Sequence, residues 1–140
     1  MKKVLFVCLG NICRSPMAEG MLKALSKGDY LVDSAATSTL QIGNAPHPGT
    51  QEVLSELGIT TEGMLARQIT ESDFYDFDFI IAMDDQNFID LNKVAPKNTE
   101  HKIHMCIDRN VPDPYYTGDF DETKKLLSAA VQEWDKKVRI

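Results

Sequence analysis

The chain has 140 residues, 43% hydrophobic and 26% charged, with a formal net charge of −6. That length fits one domain spanning 1–140, and the composition excludes disordered and fibrous classes. The acidic balance weighs against a nucleic-acid partner, and no apolar run approaches the roughly 18 residues that span a bilayer.

Lys2 and Lys3 followed by an apolar run imitate a secretion signal, but Val4 to Leu9 is shorter than the roughly 7–15 residues of such a core, and Asn11 and Arg14 follow at once. The run is instead a first strand, Lys3–Cys8, apolar throughout as in a parallel strand buried on both faces. The expected location is cytoplasmic. Three cysteines, an odd number, fit a reducing compartment, where spaced cysteines serve catalysis or metal more often than bridges.

Ser15-Pro16 reads as a helix start, a capping hydroxyl before a first-turn proline, with Met17, Met21, Leu22 and Leu25 at helical spacing. A second strand is expected over Asp29–Ala35, a loop from Thr37 to Pro48, and a helix from Gly49 that stops at Gly58. Thr70 to Asp73 resembles a helix N-terminus. Asp78–Met83 is a third buried strand with a helix following through Leu91, and Lys102–Cys106 is a weaker fourth. Ile107–Gly118 reads as a loop, and Asp119 to Lys137 as a terminal helix with Phe120, Leu126, Leu127, Val131 and Trp134 on its apolar side. Strands alternating with helices imply an α/β fold: an open, mostly parallel four-stranded sheet with helices on both faces, a flavodoxin-like three-layer sandwich. Ligands of such sheets sit beyond the carboxyl ends of the strands.

The segment Cys8-Leu9-Gly10-Asn11-Ile12-Cys13-Arg14-Ser15 occupies that position. A loop turning into a helix N-terminus directs backbone N–H groups at one point, which makes an anion site. Gly10 and Asn11 suit a tightly wrapped backbone, and Arg14 offers a planar fork for two phosphate oxygens. Cys8 would lie at the bottom, where the same donors stabilise negative charge on sulfur. Ser15 would hydrogen-bond that sulfur.

These residues resemble the signature of the low-molecular-weight protein tyrosine phosphatases: a cysteine, five residues, an arginine, then serine or threonine. The resemblance extends through Asp33-Ser34-Ala35, Ala66-Arg67-Gln68, Ala82-Met83-Asp84 and Asp113-Pro114-Tyr115-Tyr116, nearly the whole chain. It implies that Cys8 is the nucleophile, that Leu9, Gly10, Asn11, Ile12, Cys13, Arg14 and Ser15 bind phosphate, and that Asp113, between two prolines, is the general acid. It further implies phosphotyrosine-containing proteins as substrates, with no metal and no cofactor. Tyr115 and Tyr116 would flank the leaving group in a deep slot. The opposite wall, usually aromatic in the family, falls on Leu40. Some members carry a histidine behind the phosphate loop near the place of Met64. Here Asn11, Ser15 and Ser34 are expected to maintain a reduced network.

Several alternatives stand beside this reading. Cys13 fills space or guards Cys8 through a reversible bridge, and Asp113 could merely cap a turn. His104 and Cys106 fall on one face of a strand, a conceivable metal pair without the usual partner ligands. Asp84 and Asp85 read as helix caps, and His47 and His101 carry no signal. Relatives that dephosphorylate arginine tend to carry threonine where Ile12 stands. Thioredoxin-coupled arsenate reductases share the loop but use further cysteines. A non-catalytic phosphopeptide-binding module would explain the cradle but not the cysteine beneath it. Nothing in the sequence sets the oligomeric state.

Overall fold

The computed structural model describes residues 1–140. The elements are β1 (Lys3–Cys8), α1 (Arg14–Ser26), β2 (Leu31–Ala36), α2 (Pro48–Glu56), α3 (Glu71–Asp76), β3 (Phe79–Ala82), α4 (Asp85–Val94), β4 (Ile103–Met105), α5 (Pro114–Thr117) and α6 (Phe120–Arg139). The four strands form one sheet in the order β2-β1-β3-β4, and every pairing is parallel.

The apolar run of β1 is explained by this order. Val4, Phe6 and Cys8 join one core with residues of α1 and α6, whereas Leu5 and Val7 join another with Phe74 of α3 and Leu91 of α4. Helices therefore cover both faces, giving the expected flavodoxin-like sandwich. From β1 the chain passes to β2 on one side and returns to β3 on the other. Where the order reverses, the helices diverge and leave a crevice at the strands' carboxyl ends. Cys8 is the last residue of β1.

α6 seals the first core with Leu127, Val131 and Trp134, and the Trp134 indole N–H donates to the Cys106 carbonyl at 2.9 Å. Burying each such side chain is worth about 1.5–3 kcal/mol. β4 is shorter than its sequence suggests. Its His104 packs beside Phe79 and Trp134, and Cys106 lies buried beyond the strand.

Two local expectations are corrected. Ser15 does not cap α1: the cap position is Cys13 without a side-chain hydrogen bond, and the Ser15 hydroxyl is engaged elsewhere. The stretch expected as loop through Gly118 contains α5, begun by Asp113 and Pro114 and ended by Gly118 at φ 73°. No helix is long and apolar enough to cross a membrane.

Candidate active site

From Leu9 to Ser15 the chain wraps the carboxyl end of β1 with its carbonyls turned outward. The Leu9 carbonyl accepts from Ser38 N at 3.1 Å and Ser38 Oγ at 2.8 Å. Those of Ile12 and Cys13 accept from His47 N and Thr50 Oγ1, at 2.8 and 3.0 Å. The backbone N–H groups from Leu9 to Ser15 find no acceptor in the protein, although Asn11, Ile12, Cys13, Arg14 and Ser15 are all buried. Buried amides are almost always paired, so a run of unpaired ones around a single point marks an anion site.

Arg14, 2% exposed, closes the ring. Its Nη1 donates to Asp84 Oδ2 at 2.7 Å and to the Val111 carbonyl at 2.9 Å, and Nη2 reaches Asp113 Oδ2 at 3.4 Å. Burial opposes its charge, but Cys8, the Asp84 hydrogen bond and Asp113 together hold its pKa above the ordinary guanidinium value. Its Nε is buried without any partner. An orphaned charged donor is costly, and a phosphate oxygen would satisfy it.

Beneath the ring, Cys8 Sγ lies 3.0 Å from Ser15 Oγ. The direction of that bond follows from a chain of contacts. The Arg67 amide donates to Asn11 Oδ1 at 3.1 Å, which orients the Asn11 amide. Asn11 Nδ2 then donates to Ser15 Oγ and Ser34 Oγ, both at 2.8 Å. With its oxygen already accepting, Ser15 has its own hydrogen free for the sulfur. Ser34 passes its hydrogen to Glu19 Oε1 at 2.5 Å, and Glu19 is paired with Lys23. Asn11 sits at φ 58°, left-handed as anticipated. Gly10 has no positive φ; a Cβ there would press on the Gln41 side chain, meeting Cγ at 3.2 Å.

Above Cys8 opens a slot of about 110 Å³, lined by Cys8, Leu9, Gly10, Ile12 and Cys13, by Ser38, Leu40 and Gln41 on one side, and by Asp113, Tyr115 and Tyr116 on the other. The tyrosines meet edge to face with ring centres 5.2 Å apart. Leu40 stands at the rim, 77% exposed. Asp113 caps α5, its Oδ1 accepting from Tyr115 N at 3.1 Å, so one carboxylate oxygen is fixed and the other faces Arg14. A larger cavity of about 620 Å³ lies behind the loop, bounded by Asn11, Glu19, Ser34, Met64 and Arg67; it does not reach Cys8.

The structure thus brings Cys8, Arg14, Asp113, Ser15 and the loop together, with Leu40, Tyr115 and Tyr116 around the opening and Ser34 behind. Asp84 caps α4 as expected, its Oδ1 accepting from Asn87 N at 2.7 Å, but sequence reasoning missed that its Oδ2 holds Arg14, and it missed three further contributors. His47 caps α2 by accepting from Gly49 N at 3.0 Å, and its ring lies 6.3 Å from that of Tyr115. Glu19 and Lys23 terminate the chain behind Asn11. The one available signal was Glu19 itself, a charge on the buried side of α1.

The cysteines differ in surroundings. Burial, reinforced by Asp113 and Cys8, pushes the Cys13 thiol up to about 12. Burial alone does the same for Cys106, also to about 12. Both are neutral thiols at ordinary pH, and all three cysteines are free.

A family model described as low molecular weight phosphotyrosine protein phosphatase matches residues 3–139. The chain belongs to the low-molecular-weight protein tyrosine phosphatases. They are phosphoric monoester hydrolases, and this chain is an enzyme of that class. It is 48% identical, over 95% of its length and 93% of the relative's, to the low molecular weight protein-tyrosine-phosphatase YfkJ of Bacillus subtilis. The crystal structure of YfkJ superimposes with a TM-score of 0.95 at 45% identity, covering 99% of this chain and 95% of that one. The phosphatase of this family from Streptococcus pyogenes gives a TM-score of 0.94 at 43% identity, covering 99% and 93%. Wzb of Vibrio vulnificus, solved in complex with benzylphosphonate, gives 0.89 at 29% identity, covering 97% and 98%.

Proposed function

We propose that the chain acts as one cytoplasmic phosphatase domain that hydrolyses phosphotyrosine in proteins through a phosphocysteine at Cys8. The observation that carries this reading is the ring of unpaired N–H groups from Leu9 to Ser15, with the orphaned Arg14 Nε, directly above Cys8. A phosphate held there presents phosphorus to the sulfur, and the ring donors stabilise charge on its oxygens as the reaction proceeds. The sulfur attacks, the bond to the aryl oxygen breaks, and Asp113 donates the proton which that oxygen needs. Water, deprotonated by the same Asp113, then attacks phosphorus. The S–P bond breaks, Ser15 holds the departing thiolate, and inorganic phosphate leaves.

The slot supports an aromatic ester. Its apolar lining includes Leu9, Ile12, Leu40, Tyr115 and Tyr116, which suits an aromatic ring whose phosphate reaches Cys8. Wzb's benzylphosphonate has that shape, a ring joined to a phosphonate. Ile12 adds an aliphatic contact to that lining, from which a guanidinium would gain little. Cys106, a neutral thiol packed in the core, is poorly suited to relay oxidation as an arsenate reductase requires.

The test is steady-state hydrolysis of p-nitrophenyl phosphate across pH, with phosphotyrosine and phosphoarginine proteins compared alongside. The wild type should show a bell-shaped profile and prefer phosphotyrosine. Cys8→Ser should abolish turnover while vanadate still binds, and Asp113→Ala should flatten the alkaline limb. Normal turnover by Cys8→Ser overturns the mechanism, and a preference for phosphoarginine overturns the substrate.

A further inference from the structure

The slot does not end at its rim. Leu9 and Ser38, which line it, also line a shallow groove of about 290 Å³ that continues along the carboxyl edge of the sheet to the C-terminal end of α4. We propose that this groove is a second substrate subsite, which binds the stretch of polypeptide next to the phosphotyrosine and selects for an apolar residue accompanied by an acidic one.

The proposal rests on the phosphotyrosine reading of the slot. A phosphotyrosine seated in the slot belongs to a chain, and the residues on one side of it must cross a surface that adjoins the opening. The groove shares two wall residues with the slot, so an extended peptide, advancing about 3.3 Å per residue, enters it within one to three residues. Its apolar lining is Leu9, Ile69 and Val94. Val94 is 61% exposed at the last position of α4, and it completes the apolar side of the groove begun by Leu9 and Ile69.

Charge chooses between apolar occupants. Lys93 stands at the groove edge, exposed and without an ion-pair partner anywhere in the chain. Asp90, which also lines the groove, accepts from Gln86 Nε2 at 2.9 Å and keeps its charge, so the groove carries one group of each sign and Lys93 is the one that adjoins Val94 in sequence. In a protein of net charge −6, an unpaired lysine beside an apolar groove favours an acidic side chain on the bound peptide, and the local attraction offsets the general repulsion. Ser38 is fully engaged with the Leu9 carbonyl and serves as a fixed ledge between slot and groove.

The test uses Val94→Asp and Lys93→Glu, both at exposed positions remote from Cys8. Each is assayed on p-nitrophenyl phosphate, which fills only the slot, and on two phosphotyrosine peptides. One peptide carries leucine and glutamate within three residues of the phosphotyrosine on both sides, and the other carries alanine and lysine there. The wild type should favour the first peptide by about tenfold in kcat/KM. Each variant should lose most of that preference, mainly through KM, while p-nitrophenyl phosphate turnover stays within about twofold of wild type. If the variants keep the full peptide preference, or if the wild type has none, the subsite is overturned and the catalytic reading stands. Absence of p-nitrophenyl phosphate turnover in the wild type overturns that reading, and the subsite with it.

Discussion

Replacement of Asn11 tests how the phosphate loop is held. Asn11 is 3% exposed, donates to Ser15 and Ser34 at 2.8 Å each, accepts from the Arg67 amide at 3.1 Å, and sits at φ 58°. Asn11→Ala removes two buried hydrogen bonds and one partly buried one, each worth about 1 kcal/mol net. It also replaces a side chain that tolerates the left-handed region with one that does not, at about 1 kcal/mol more. The expected loss is therefore about 4 kcal/mol, a large share of the roughly 5–15 kcal/mol that hold a domain folded. Asn11→Gly loses the same hydrogen bonds but tolerates the φ, so it should lose about 3 kcal/mol. Urea denaturation reads both values. In both variants nothing directs the Ser15 hydroxyl at the sulfur, so kcat for p-nitrophenyl phosphate should fall by more than tenfold in the fraction that is folded. A glycine variant as stable as wild type, or as fast, would refute the reasoning.

Asp84 offers a paired comparison: Asp84→Asn keeps the cap on α4 but turns an amide towards Arg14, so its phosphate affinity should fall while the helix holds. Asp84→Ala should cost about 1 kcal/mol more, the usual value of a cap, and equal stability of the two variants contradicts the dual role. Cys13 and Cys106, both pushed up to about 12, should resist iodoacetate at pH 7. Mass mapping should find label on Cys8 alone, slowed by added phosphate; label on Cys13 at a similar rate counts against the assigned surroundings. Asp73 is opposed by burial, but the Arg67 fork and the Thr70 N–H bring it below the ordinary carboxylate value. A depressed acid contributes stability that is present above its unfolded pKa, near 3.9, and is lost as pH falls through the folded value. Asp73→Asn should therefore lower Tm at pH 7 and weaken the fall in Tm below about pH 4; an unchanged acid limb rules this out.

How much of this was legible in the sequence depended on how far apart the cooperating residues lie. β1 could be read because burial on both faces leaves an unbroken apolar run. The loop could be read because Cys8, Arg14 and Ser15 are near neighbours whose spacing carries the geometry. Asp113 stood out through its flanking prolines. Asp84 could be read only as a cap: one oxygen does that local work, while the other serves an arginine 70 positions away, which no local pattern records. The Ser15 contact with the sulfur was legible from the loop, but its expected role as helix cap was not fulfilled. The hydroxyl that a helix start invites to cap is claimed by Asn11 and Cys8, a tertiary choice. Gly10 was read for its backbone freedom, but its φ is not positive, and its close neighbour is the Gln41 side chain. His47 gave no sign because its cap depends on the turn into α2, and its place beside Tyr115 depends on the packing of two distant loops.

The central claim is that phosphorus passes through the sulfur of Cys8. Its most direct test is rapid acid quench of Asp113→Ala turning over p-nitrophenyl phosphate, followed by peptide mass mapping under conditions that preserve S–P bonds. With water activation impaired, the phosphoenzyme should accumulate and the phosphate should map to Cys8. Phosphate on Ser15 or elsewhere, or turnover that continues with no phosphoenzyme while Cys8→Ser remains active, would contradict the account.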